Sequence, residues 1–454
     1  MLLEFIMALY STSVETQILD PVFSSKNRCE FRIPDRDGSY LPNLRLGNVG
    51  VTTATNAVPY ALGCGVASVI KRIQLMDGNE ELDSLREANA WLTFKSFFRP
   101  NSEASGIKMI EEGGAGRGFT SGNNMEVDVP LPSQKFANTA TFDRLELFTG
   151  YVDLRVIFPL LNQMSHLNTK MFPNLRVVME WETAEQRILV STGNTPVPST
   201  PILMADVIMD EALIATLDSA MLGKAITFDA IEVDRIGLPA AALTLPADGT
   251  VAEQVVTLQS KGFLGKYVKR ICVQKSAQDT TDYVDTDDLV RGFGANGSLS
   301  MEGEQSNLRI NGRNLLGGNG NTTAAQTMMN VTDTWGEINS YPFSAMQSVG
   351  LDSRENTRAA NGPAGLPPTV PSLLIKTQFA TAQQSQLIGQ QSYLGFNVRE
   401  RCDNLQLQYR RLGRKQAGTT GGPGTGAALN LTLYAEVSKQ LVVRGMGDWA
   451  VSYV

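Results

Sequence analysis

The sequence predicts an all-β protein built as two sandwich domains in tandem. Three observations carry this prediction. Apolar and polar residues alternate with period two along much of the chain. Helical periodicity is confined to two short segments. A strand motif, Ile70-Lys71-Arg72-Ile73, returns 198 residues later as Val268-Lys269-Arg270-Ile271. At 454 residues the chain has room for two large β domains, each able to bury a core.

The alternating segments come in order. Met125, Val127, Val129 and Leu131 share one face of a predicted strand. Leu175, Val177, Met179 and Trp181 alternate with Arg176, Glu180 and Glu182. Leu405, Leu407 and Tyr409 alternate with glutamines. Leu429, Leu431, Leu433, Ala435 and Val437 alternate with Asn430, Thr432, Tyr434 and Glu436, and Trp449, Val451 and Tyr453 mark a last strand. One apolar and one wetter face per strand is the pattern of antiparallel sandwiches. Asn311-Gly312, set between Ile310 and Leu315, is the strongest two-residue hairpin signal.

Two helices are expected. Asp83-Ser84 followed by Glu87 reads as a capping box, with Trp91, Phe94 and Phe98 as one stripe beyond it. In TTAAQTMMNVTDTW, Ala324, Met328, Val331 and Trp335 share a face. Helices this sparse exclude a doubly wound α/β enzyme. Long polar, Gly- or Pro-rich loops separate the strands at 99–124, 190–201, 358–371 and 416–428. Each repeat of the Lys-Arg motif leads through an acidic or helical stretch to a closing strand, at 175–182 and then at 429–437. The strand is written twice because the domain is written twice. The boundaries read from this are an N-terminal arm at 1–24, a first domain at 25–189, a linker at 190–222 and a second domain at 223–454.

Composition narrows the function. A net charge of −7 argues against a polybasic nucleic-acid coat. The four cysteines, Cys29, Cys64, Cys272 and Cys402, lack the close spacing of a zinc site and read as buried free thiols in a reducing compartment. The apolar N-terminus carries Glu4, has no basic leader and is too short to span a bilayer. It reads as a packed terminal segment, or as an arm that docks on a neighbour or a membrane surface. No other stretch could cross a membrane, so a soluble protein is expected.

Chemistry is poorly represented. His166 is the sole histidine, and any Ser-His-Asp triad or Cys-His pair would have to use it. It sits in a connecting turn and reads as structural. GGAGRGF (113–119) and GGPGTGA (421–427) imitate phosphate loops, but neither joins a strand to a helix. Glu111-Glu112 and Asp287-Asp288 are adjacent carboxylates that read as solvated, and the acidic 279–288 loop reads the same way in preference to a Ca²⁺ site. No catalytic residue, metal ligand or cofactor is therefore assigned. The densest basic stretch holds Arg399, Arg401, Arg410, Arg411, Arg414 and Lys415. It reads by default as a solvated strand end; the functional readings are a partner for acidic loops of a neighbouring subunit, or a face toward a membrane or genome. Aromatic residues do not interleave with it as base stacking requires. The sequons at Asn296, Asn321, Asn330 and Asn430 are expected to be bare.

The stretches ASVIKRIQLMDGNEELDSLREANAW, MFPNLRVVMEWE, INSYPFSAM and LNLTLYAEVSKQLVVRGMGDWAVSYV resemble, in order, elements of the double jelly-roll major capsid proteins. That lineage runs from virophages, polinton-like viruses and large algal viruses to tailless membrane-containing phages and adenovirus. The resemblance covers most of residues 25–454. It implies two eight-stranded jelly rolls with long loops and a few short helices. It also implies a non-enzymatic homotrimer, a pseudo-hexagonal capsomer that tiles an icosahedral shell around a double-stranded DNA genome. Loops 99–124 and 282–307 would form outward towers. Implied partners are further copies, neighbouring capsomers, minor capsid or penton proteins and, through the N-terminal arm, an internal membrane. No sequence-specific nucleic acid is implied. The implied location is the virion, assembled in the host cytoplasm or nucleus.

Two other classes compete. A tandem β-sandwich spike that binds carbohydrate or a receptor should present an aromatic-lined groove. A jelly-roll carbohydrate-active enzyme should depend on one facing carboxylate pair.

Overall fold

The structure is a computed structural model. It describes residues 14–35, 39–52, 65–96, 117–119, 126–128, 150–184, 188, 196–238, 252–277, 304–316, 333–335, 393–413 and 429–454. The first half contributes β1 (Val14–Leu19), β2 (Phe23–Ser24), β3 (Arg28–Arg32), β4 (Ser39–Tyr40), β5 (Arg45–Val49), β6 (Val51–Thr52), β7 (Ile70–Asp77), β8 (Glu80–Arg86), β9 (Arg117–Phe119), β10 (Glu126–Asp128), β11 (Gly150–Asp153), β12 (Leu167–Asn168), β13 (Leu175–Trp181), β14 (Val197–Pro198) and β15 (Ile202–Ile208). The second contributes β16 (Ala225–Leu238), β17 (Ala252–Ser260), β18 (Tyr267–Ala277), β19 (Glu304–Ile310), β20 (Arg313–Asn314), β21 (Tyr393–Arg401), β22 (Leu405–Gly413), β23 (Leu429–Gly445) and β24 (Asp448–Tyr453). Helices are α1 (Ala88–Ser96), α2 (Pro159–Gln163) and α3 (Glu211–Met221).

Among the described residues each half makes two large sheets, and the first half adds the two-stranded pairs β9-β10 and β6-β14. The first has β11-β5-β15-β4-β12, with β1 added on β15, and β2-β3-β13-β7-β8. The second has β16-β23-β18-β21, with β24 added on β23, and β17-β22-β19-β20. The alternation read from sequence sets the inward faces. Leu175, Val177, Met179 and Trp181 are buried on β13, Leu405 and Leu407 on β22, and Leu431, Leu433, Ala435 and Val437 on β23. One hydrophobic cluster runs through both halves, from Cys29 and Phe31 to Leu441 and Val443. Asn311 (φ 49°) and Gly312 (φ 84°) turn β19 into β20, both in the left-handed region that a type I′ turn requires. The Asn311 side chain adds an anchor. Its oxygen accepts from the Asp403 and Asn404 amides at 2.9 and 3.1 Å, and its Nδ2 donates to the Arg401 carbonyl at 2.7 Å.

One sequence expectation is corrected, and two segments read as arm and linker carry regular structure. Asp83, Ser84 and the preceding residues lie in β8, so the capping-box reading fails, and α1 begins at Ala88. Strand pairing to β7 across the Gly78 turn overrides the local pattern. The segment 14–24, read as arm, pairs into both sheets of the first half: β1 pairs β15 from Val14↔Ile208 to Leu19↔Leu203, and β2 pairs β3. The segment read as a linker at 190–222 holds β15, which pairs β1, β4 and β5, and α3. Of the second expected helix, residues 333–335 are helical and the rest lies outside the described residues.

The repeated motif has a physical meaning. Ile70 pairs Trp181 and Arg72 pairs Glu180, so Lys71 is the extra residue of a β-bulge. Val268 pairs Val437 and Arg270 pairs Glu436, which leaves Lys269 in the same role. Each Arg meets the Glu opposite it. Arg72 Nη1 lies 3.4 Å from Glu180, and Arg270 holds Glu436 with Nε and, at 3.0 Å, with Nη2. The strand order β3-β13-β7-β8 thus repeats as β16-β23-β18-β21.

Candidate functional site: the seam between the sandwiches

The repeated sheets differ in what lies on their outer faces. In the second sandwich, Gln274, Thr432 and Tyr434 point away from their own core yet are 3%, 2% and 1% exposed. The first sandwich reaches this face through Trp91. Trp91 of α1 lies 5.3 Å from the Tyr434 ring and meets Trp335 edge-on at 5.0 Å. The Arg270 guanidinium stacks on Trp335 at 4.3 Å and donates to the Thr334 carbonyl at 2.9 Å. Such a stack adds about 0.5–2 kcal/mol to the ion pair it accompanies. Trp449 donates its indole N–H to Asp77 Oδ2 at 2.7 Å and packs near Phe172.

A charged cluster lies beside the same seam. Glu232 of β16 pairs with Lys439 of β23 at 2.6 Å and with Lys266 at 3.7 Å, and accepts from the Tyr453 hydroxyl at 2.9 Å. Burial alone would raise the Glu232 pKa, but the two ammonium groups outweigh it and hold the carboxyl below its ordinary value. Burial would likewise lower Lys439, and Glu232 reverses that. Asp83 of β8 is 1% exposed. Its oxygens accept from the Ser84 amide at 2.9 Å and the Leu160 amide of α2 at 3.2 Å. Desolvation pushes its carboxyl up to about 7, opposed by these amides and by Lys439. At the corner after β8, Glu87 pairs with Arg235 of β16 at 2.6 Å.

In the first sandwich the equivalent outer face bears Arg72, Gln74, Met76, Arg176 and Glu180, all half-buried or exposed, and Val178, the counterpart of Tyr434, which is buried. The Glu180 side chain is 45% exposed, against 15% for its counterpart Glu436. The two faces are alike in backbone and register, and among the described residues the second is the more deeply covered.

His166 is fully buried at the other contact between the halves. Its Nε2 lies 2.7 Å from Asp218 on α3, and its Nδ1 lies 2.9 Å from the Ser165 hydroxyl. Asn168 donates to both oxygens of Asp218 at 2.9 Å. Burial lowers the His166 pKa and Asp218 only partly restores it, so the imidazole is a neutral pin for α3. The basic run read as one stretch is divided. Arg399 and Arg401 lie on β21, and Arg410 and Arg411 on β22 of the opposite sheet. Arg401 faces Asp403 at 3.7 Å. Arg414, Lys415, Glu111-Glu112, the 279–288 loop with Asp287-Asp288, Gly-rich 421–427, Cys64 and the sequons at Asn296, Asn321 and Asn330 lie outside the described residues. So does most of 99–124 and of 282–307, although Arg117–Phe119 of the first Gly-rich run forms β9. Asn430 lies in β23. Cys29, Cys272 and Cys402 are buried free thiols, each raised by desolvation. Among the described residues no group of three His, Cys, Asp or Glu side chains could hold a metal ion, and no helix is long and apolar enough to cross a membrane.

The seam was hidden from sequence reasoning. Its partners lie far apart, as with Asp77 and Trp449 or Glu87 and Arg235. The signal that existed was Tyr434 and Thr432, outward positions of a strand whose inward positions are already apolar.

No family model matches the sequence, and no curated protein matches it. Solved structures do match. The chain is similar to the capsid protein in a quasi-atomic model of the PBCV-1 virus capsid, with a TM-score of 0.55, 12% identity and 97% of each chain covered. It is similar to a chain of the Sputnik virophage particle, with a TM-score of 0.50, 11% identity, and 97% of this chain and 88% of that one covered. It is similar to the mavirus major capsid protein, with a TM-score of 0.50, 10% identity, and 98% and 90% covered. The two sandwiches are therefore the two rolls of a double jelly roll.

Proposed function

We propose that this double jelly roll is a structural major capsid protein, without enzymatic activity, that assembles with copies of itself into a virion shell. Likeness of fold to capsid proteins over nearly the whole chain supports the role. The observation that carries it is the inequality of the two equivalent faces. The outer face of the second roll is closed over Gln274, Thr432 and Tyr434, while the matching face of the first, Val178 excepted, is half-buried or exposed at its described positions. A second copy, set as the first roll is set within the chain, covers that face with its second roll. The contact is head-to-tail, and such contacts close into a ring when the rotation allows. Three chains then make a pseudo-hexagonal trimer, the block that tiles an icosahedral facet around a double-stranded DNA genome. Minor capsid proteins at the vertices, and a membrane beneath the shell met by the N-terminal residues, are the further partners of this reading. We also place the roll boundaries at Val14–Ile208 and Ala225–Tyr453, with α3 between them.

Met76 lies on the open face, opposite Arg176. Met76→Asp puts a carboxylate into the proposed contact and leaves the single chain's seam intact. The expected result is loss of association in sedimentation analysis, with the unfolding midpoint of the single chain unchanged. A variant that associates like wild type counts against this face.

A further inference from the structure

We propose that Arg72 and Arg86, neighbours on the outer face of the first roll, form a receptor for an acidic side chain of a second copy of this chain. This rests on the capsid reading and supplies the chemistry by which one copy recognises the next.

The register sets these residues in a row across the sheet. Arg28 of β3 pairs Glu180 of β13, Glu180 pairs Arg72 of β7, and Arg72 pairs Arg86 of β8. Three arginines share one glutamate. The corresponding row of the second roll is Ile231, Glu436, Arg270 and Asn397, one arginine to one glutamate. There the guanidinium is fully engaged: Nε and Nη2 hold Glu436, Nη1 donates to the Thr334 carbonyl, and Trp335 covers its face. Arg72 is not. Its Nη1 lies 3.4 Å from Glu180 and its Nη2 lies 3.9 Å from Glu81, and its enclosed Nε has no hydrogen-bond partner. Arg28 turns instead to Glu30 at 2.8 Å. Arg86 is exposed, and among the described residues it has no carboxylate partner. Arg72 and Arg86 thus face each other across two strands as like charges, an arrangement that destabilises a sheet until an anion joins them.

Charge identifies the occupant. With Arg32 and Arg176, and with Glu30 and Glu81, the face carries five arginines against three glutamates, a net of two positive charges. The whole chain carries −7, so the rest of it carries −9. A second copy is therefore an acidic partner for this basic face. A carboxylate set between two guanidinium groups takes two-pronged hydrogen bonds from either, which fixes its position as well as its charge. Such a contact speeds encounter and selects register between copies.

The test compares wild type, Arg86→Glu and Arg86→Lys as full chains, by sedimentation over a range of concentrations and by chemical denaturation of the dilute protein. Arg86→Glu sets a carboxylate opposite Arg72, so the single chain gains a cross-strand pair and the neighbour loses its place. The concentration for half-association should rise at least about tenfold, while the unfolding midpoint stays at or above that of wild type. Arg86→Lys, which keeps the charge, should lie nearer wild type. Arg86→Glu that associates as wild type does overturns the receptor and leaves the capsid reading standing. Wild type that is monomeric at every concentration overturns both. Weaker association together with a lower unfolding midpoint shows a structural role for Arg86 and overturns the receptor. So does an Arg86→Glu chain that self-associates normally but loses binding to phosphatidylserine vesicles or to double-stranded DNA, which would assign the arginines to those anions. Should Arg86→Glu fail to fold, wild type decides: association as strong in about 0.5 M sodium chloride as in about 0.1 M overturns the proposal.

Discussion

Glu87 holds a left-handed backbone, φ 49°, at the corner between β8 and α1. A non-glycine residue there is strained by about 1 kcal/mol or more. The strain coincides with a carboxylate that reaches across the seam to Arg235. Two substitutions separate the effects. Glu87→Ala loses the ion pair and keeps the strain, whereas Glu87→Gly loses both. Chemical denaturation should find the glycine variant about 1 kcal/mol more stable than the alanine variant; the reverse order would mean the backbone is relaxed. Trp91 is the larger anchor, lying between Trp335 and Tyr434. Trp91→Ala should cost about 3–5 kcal/mol in the same measurement. A loss below about 1 kcal/mol would show that the aromatic cluster does not hold the rolls together. At this scale the sequence misleads at Asp83. Asp-Ser-x-x-Glu does look like a helix start, and Asp83 does accept backbone N–H groups. One of them belongs to α2, 77 residues away, which no local pattern can announce.

The strands are the most legible elements. Period-two alternation located β13, β22, β23 and β24, and Asn-Gly located the turn from β19 to β20. The Lys-Arg repeat was visible as a coincidence of letters. Its cause, a bulge at Lys71 and Lys269 followed by an Arg aligned with a Glu, needs the register. Helix α3 was legible and overlooked. Asp210 caps it by accepting from the Ala212 and Leu213 amides at 3.0 and 3.1 Å, and Ile214, Leu217 and Met221 form its buried stripe. Asp210→Ala should lower stability by about 1 kcal/mol. The edge strands β1 and β2 were not legible, because an edge strand carries a weak pattern; Ile18, Val22 and Phe23 are all exposed. The repeated Arg–Glu pair gives a sharper comparison. In the isolated chain Arg72→Ala breaks an exposed pair and should cost less than about 1 kcal/mol. Arg270→Ala leaves Glu436 half-buried and strips the Trp335 stack, and should cost about 2–3 kcal/mol. Equal losses would mean that the two faces are equally wet.

At the scale of the whole molecule, one cluster of apolar side chains joins the two rolls into a single body. The rolls meet through a sheet buried on both sides. The first roll's matching sheet has the same strand order with its outer face less covered. The tandem organisation was legible from the repeat, but the side on which the rolls meet was not, because it rests on pairs such as Trp449–Asp77 that bring opposite ends of the chain together. The claim that the chain is a brick for copies of itself is tested most directly by native mass measurement of the purified protein over a range of concentrations. The account predicts a species of about 148 kDa, three times the 49.3 kDa chain, that persists on dilution. A 49.3 kDa monomer at every concentration would contradict it.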